Sequence, residues 1–169
     1  MSVREIHTWP SEVLRKKAAP VDKVDEDLRR LIDDMVETMY AAPGIGLAAP
    51  QVGVSKRLIV IDLSSGMEKD QLVVLANPEL VSAEGEVVSE EGCLSLPELS
   101  VKICRAAKVV VRGLDPEGRS VEVQGEDLLA RALQHEIDHL DGLLLIDRVN
   151  PLRREIAKKK LKKALAASG

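Results

Sequence analysis

A chain of 169 residues is long enough to bury a core without disulfide or metal staples, so one domain spanning 1–169 is expected. Apolar residues at 45% and charged residues at 31% give an ordinary soluble balance, and with only Trp9, Tyr40 and no Phe the core has to be aliphatic. The net charge of −4 is uneven, since residues 150–169 carry seven Lys or Arg against one Glu, and the lack of any membrane-length or signal-like apolar run excludes membrane and secreted classes, implying a cytoplasmic protein whose Cys93 and Cys104 stay reduced.

The opening segment reads as irregular. In VDEDLRRLIDDMVETMYAAPG, the spacing of Leu28, Leu31, Ile32, Met35 and Met39 predicts a helix that Pro43-Gly44 stops. GIGLAAPQVG follows as a small-residue loop, too rich in Gly, Ala and Pro for an amphipathic helix or an ordinary strand, and suited to close backbone approach. Strands are expected at 57–63, 71–78, 84–92 and 99–104, where β-branched residues lie between turn signals. Two more, AKVVVRGLD and SVEVQGE, are joined across Asp115-Pro116-Glu117-Gly118. GEDLLARALQHEIDHLDG then turns to helical spacing, with Asp127 as N-cap, Leu129, Leu133, Glu136 and Leu140 on one stripe, and Gly142 as the stop. Past LLLID and the Asn150-Pro151 break, a basic helix closes the chain. Runs of strands flanked by helices, without βαβ alternation, predict an α+β fold: mostly antiparallel β-sheets packed around a central helix carrying HEIDH, with an N-terminal helix and a basic C-terminal helix over 150–169.

Residues 135–139, HEIDH, carry the clearest chemistry. Positions four apart on a helix face the same way, so His135 and His139 can direct imidazole nitrogens at one ion. Glu136 in this motif is usually the base and not a ligand. The third ligand is less plain. No histidine follows at the spacing of HExxHxxGxxH peptidases, because Leu143, Leu144 and Leu145 come after Gly142. Glu155 more simply pairs with its basic neighbours, and His7 has no ligand partner nearby. Cys93 lies in SEEGCLSLP, where a strand enters a polar turn; its surroundings alone suit a thiolate ligand and a small buried hydrophobe equally. Cys104, on an alternating strand, reads as a small buried hydrophobe.

Three segments now stand in order: GIGLAAPQ (44–51), EGCLS (91–95) and HEIDHLDG (135–142). Together they resemble the signatures of bacterial peptide deformylases, and the similarity covers essentially the whole chain. The resemblance implies a metal held by Cys93, His135 and His139, with Glu136 as catalytic acid/base. It further implies that Gln51 and the Leu94 backbone N–H stabilise the oxyanion, and that Gly46 lines the substrate cleft. The expected reaction is removal of the N-formyl group from the initiator methionine of nascent chains, releasing formate. One divalent ion is implied, Fe(II) natively, with Zn, Ni or Co able to occupy the same site.

The glycines Gly44 and Gly46 would let an extended substrate approach as an added strand. Ile45, Leu128, Ala132 and His135 are candidates for the methionine pocket. Family members often carry an aromatic where Leu144-Leu145 stand, which bears on packing and not on the chemistry. The LRREIAKKKLKK run reads either as a solvated helix end or as a ribosome contact through phosphate attraction. A monomer is expected.

Overall fold

In the computed structural model, which describes residues 2–168, the first amphipathic run forms α1 over Glu26–Ala41. The Asp25 carboxylate accepts the Leu28 N–H at 2.9 Å and satisfies one orphan donor of the first turn. Leu28, Leu31, Ile32, Met35 and Met39, the residues selected by spacing, all belong to its buried face.

GIGLAAPQVG is more ordered than a loop. Gly46–Ala48 form β1, and Ala49–Val52 make a 3-10 turn closed by Gly53 at φ 84°. The ordering comes from a distant partner, since Gly46, Leu47 and Ala48 pair antiparallel with Ile61, Val60 and Ile59 of β2 (Leu58–Ile61). β3 (Val73–Glu84) runs past Pro78, where the pattern suggested an end. A register shift between Ala76 and Glu79, with Asn77 at φ 50°, absorbs the residue that cannot donate to the ladder. β4 (Val87–Cys93) and β5 (Leu96–Arg105) make a two-stranded hairpin. β6 (Lys108–Leu114) and β7 (Ser120–Glu126) complete a five-stranded sheet in the order β1-β2-β3-β6-β7, and every strand ladder is antiparallel.

The site helix α2 spans Asp127–Leu140. Asp127 is not its N-cap: Glu126 takes that position without a side-chain bond, and Asp127, at φ 51°, donates its own N–H to Ala107 O at 3.2 Å. A contact with the link between β5 and β6 replaces the side-chain cap that sequence suggested. After a 3-10 turn at Leu145–Arg148, α3 runs from Pro151 to Ser168.

β2 explains the layering. All four of its residues are buried, Leu58 and Val60 in a cluster with α1, Ile59 and Ile61 in a second cluster with Leu133 and Leu140 of α2. The sheet therefore lies between α1 and α2, and α2 is central. A third cluster joins Leu96, Leu99 and Ile103 of β5 to Leu144, Leu145, Ile146 and to Ala157 and Leu161 of α3. Among the described residues no helix is long and apolar enough to cross a membrane.

Candidate metal centre

Two periodicities converge at the site. His135 and His139, four apart on α2, place their rings with centroids 5.1 Å apart. On β4 alternate side chains share a face, so Glu91 and Cys93 both turn inward, toward that helix. Cys93 Sγ lies 3.3 Å from His139 Nε2. One ligand atom from each of Cys93, His135 and His139 lies within 4.8 Å of the others, a spacing at which one ion can reach all three. A sulfur with two imidazoles is a donor set suited to a divalent transition metal.

Sequence reasoning gave no role to the residues behind this triad. Glu91 Oε1 sits 3.1 Å from His135 Nδ1, which fixes the ring and leaves its other nitrogen for the ion. Arg105, almost wholly buried, binds both oxygens of Glu91 at 3.0 and 2.9 Å and Asp138 at 2.6 Å. Arg148 adds bonds of 2.6 and 3.1 Å to Asp138. Glu91 and Asp138 were visible inside EGCLS and HEIDH, but nothing local in the sequence couples them to Arg105.

These surroundings set the proton affinities. Burial alone would raise Glu91, but hydrogen bonds from His135 and Arg105 outweigh it and hold the carboxyl at about 2. Burial would likewise lower His135, yet Cys93, Glu136 and Glu91 keep it well above the usual imidazole range. His139, buried and facing His135 and Arg105, is held well below that range. Glu136 is pushed up to about 7, chiefly by burial.

Glu136 Oε1 is shielded from solvent and has no hydrogen-bond partner among the described residues. Its other oxygen fills the space beside Gly46, where a Cβ would lie 2.5 Å from Oε2. The missing side chain of Gly46 thus makes room for the glutamate as well as leaving its backbone on the cleft wall. At Gly44 a Cβ would come 2.9 Å from Leu94 Cδ1.

Gln51 sits on the 3-10 turn, 2% exposed, and is not on a flexible loop. Its Oε1 accepts the Ala48 N–H at 2.9 Å, which turns Nε2 toward Ser95 Oγ at 3.1 Å and Cys93 Sγ at 3.8 Å. Ser95 in turn donates to His7 O at 2.7 Å, and His7 N–H donates to Gln51 O at 2.7 Å. His7 is therefore a brace for Gln51 and lies outside the ligand cluster. Glu155 pairs with Lys158 at 3.9 Å on α3; Cys104 is not the buried residue that the alternation suggested but is exposed, because the β5 side chains that face the core are its neighbours Ile103 and Arg105.

A cleft of about 610 Å³ opens onto this constellation. Its walls include Ile45, Gly46, Gln51, Cys93, Leu94, Leu128, Ala132, His135 and Glu136, so the separate motif residues meet at one surface. His139 stands behind that wall, 2% exposed.

A profile of the polypeptide deformylase family matches residues 3–155. A peptide deformylase of Thermodesulfovibrio yellowstonii is 56% identical over 162 residues, 96% of this chain and 98% of its own. One of Syntrophobacter fumaroxidans is 56% identical over 165 residues, 98% and 97% of the two chains. Among solved structures, a peptide deformylase from Legionella pneumophila superimposes with a TM-score of 0.93 at 50% identity, covering 99% of this chain and 98% of that one. A peptide deformylase of Ehrlichia chaffeensis in complex with actinonin gives 0.89 at 40% identity, covering 97% and 98%.

Proposed function

Because the chain belongs to the peptide deformylase family, metal-dependent hydrolases that remove the formyl group from nascent peptides, we propose that Cys93, His135 and His139 hold its metal ion while Glu136 moves the protons. The observation that carries this assignment is the approach of the three ligand atoms to within 4.8 Å of one another, beside a glutamate raised to about 7. A divalent cation held there supplies Lewis acidity and makes hydroxide available near neutral pH. We assign Fe(II) as the native ion, with Zn, Ni or Co as substitutes that the same donors accept.

The chain's own groups then divide the work. Glu136 takes a proton from the attacking water and passes it to the amine nitrogen as the C–N bond of the formamide breaks, leaving formate and a free N-terminus. Gln51 Nε2 and the Leu94 N–H face the developing charge on the formyl oxygen, and the Ala48 and Ser95 bonds hold Gln51 ready without reorganisation. β1, an edge strand, offers Gly46, with Ile45 just before it, as a rail for an extended peptide. The methionine side chain would rest among Ile45, Leu128, Ala132 and His135, which line the same cleft.

Residues 1–169 work as one catalytic domain, a monomer in the cytoplasm, with the basic α3 reaching ribosomal RNA where nascent chains emerge. The deciding assay is anaerobic formate release from formyl-Met-Ala together with metal content. One divalent ion per chain and release of formate, without endopeptidase cleavage, is expected. Full loading without formate would overturn the assignment.

A further inference from the structure

The turn that follows β2 is fastened to the strand that walls the cleft. Asp62, buried just past β2, donates its N–H to Ile45 O at 2.8 Å. Its carboxylate accepts bonds from the Tyr40 hydroxyl at 2.6 Å, the Ser64 N–H at 2.9 Å, the Ser64 hydroxyl at 2.7 Å and the Gly66 N–H at 3.1 Å. These bonds fold residues 62–66 back on themselves, with Ser65 at φ 50° and Gly66 at φ 85°. The left-handed region is unfavourable for a residue with a Cβ, and such strain persists only where the surroundings enforce it. Here it aims a hydroxyl: Ser65 Oγ donates to Gly44 O at 2.8 Å. Gly44 is thereby fixed on both sides, because its N–H donates to Met39 O at 2.8 Å.

The consequence falls on Gly46. It stands opposite Ile61, and the Asp62 N–H bond to Ile45 O makes this a pair that exchanges no bonds of its own. The N–H and C=O of Gly46 therefore point away from β2, along the open edge of the sheet where Gly46 lines the cleft. We propose that Ser65 is a positioning residue for peptide binding: by holding the Gly44 carbonyl it sets the direction of the Gly46 N–H and C=O that pair with the substrate backbone. The inference rests on the reading of β1 as the peptide's rail and says what keeps that rail in place. With Gly44 released, the 44–46 backbone gains freedom that a substrate must remove on binding, which raises KM and leaves the chemical step alone.

The test uses enzyme loaded with the same metal throughout and compares formyl-Met-Ala-Ser with N-formyl-3-(methylthio)propylamine, which keeps the formamide and the side chain but has no peptide beyond them. Ser65→Gly removes the hydroxyl while suiting the left-handed turn, so the fold is retained. KM for the tripeptide should rise by about three- to tenfold, the scale of one hydrogen bond, with kcat and metal content unchanged. KM for the truncated formamide should be the same in both proteins. An unchanged tripeptide KM overturns the proposal, and so does an equal rise for both substrates. Ser65→Ala, which lacks the hydroxyl but keeps the Cβ, should reproduce the rise; if it does not, the hydroxyl is not the cause and the proposal falls. The wild type alone tests the rail. It should show a much lower KM for the tripeptide than for the truncated formamide, and equal values would sink the rail reading whatever the Ser65 variants show.

Discussion

At the scale of single residues, Glu136 gains its chemistry from what does not touch it. One carboxylate oxygen has no partner among the described residues and the other lies against a backbone that carries no side chain, so the group is desolvated and free to exchange a proton. Glu136→Ala should keep the metal while kcat falls by about 10²–10⁴, the usual worth of a positioned acid/base; an empty site by elemental analysis would contradict that role. Cys93→Ala should instead lose the metal, because two imidazoles alone remain. Gly46→Ala is the more discriminating change. Its Cβ would meet Glu136 Oε2 at 2.5 Å, so the carboxylate must shift. A displacement near 1 Å costs about 10²-fold, and we expect kcat to drop by that order with metal content unchanged, as steady-state kinetics and metal analysis would show.

Between elements, buried charge ties strand to helix. Arg105 on β5 holds Glu91 of β4 and Asp138 of α2 together, so Arg105→Met would leave buried Glu91 without a guanidinium and Asp138 with Arg148 alone. Breaking such a network costs about 3–5 kcal/mol. Loss of the Glu91 orientation should also weaken metal affinity by about 10–100-fold; urea denaturation and metal competition measure the two effects separately. A second link joins α1 to the end of β2, where Tyr40 donates to Asp62 at 2.6 Å. Burial and the Asp62 charge raise the phenol from 10.0 to about 12. The folded protein thus keeps a proton that the unfolded chain gives up. This contribution to stability is complete below about pH 10 and is lost as pH rises toward 12. Tyr40→Phe should flatten that alkaline loss in thermal melts, while costing about 1 kcal/mol at neutral pH for the missing bond.

Across the whole molecule, α3 has one face packed into the core and one exposed, basic face. Ala157 and Leu161 are buried against the cluster containing Leu96, Leu99 and Ile103, so deleting the helix would uncover core. Ribosome binding is better tested by replacing the exposed Lys159, Lys160, Lys162 and Lys163 with Ser. Co-sedimentation with ribosomes at low salt should weaken steeply, while formate release from a short formyl peptide stays at the wild-type level. Undiminished co-sedimentation would assign the contact to another surface.

The sequence by itself determined the amphipathic face of α1, the helix bearing HEIDH, the antiparallel α+β character and the three motifs, since each depends on local period or on residues a few positions apart. Tertiary structure alone decided what required a distant partner. GIGLAAPQVG became a strand and a buried turn because β2 supplies its ladder, β3 continued past Pro78 because β6 still paired beyond the bulge, and α2 began at Asp127 because Ala107, twenty residues earlier, accepts its N–H. The same holds for the site: from its surroundings Cys93 was equally a ligand or a core residue until the β4-β5 hairpin set it against α2, and Glu91 and Asp138 had no tie to Arg105 until strand and helix packed together. Period is written in neighbouring residues, but burial and charge pairing are made by residues that meet only when the chain folds.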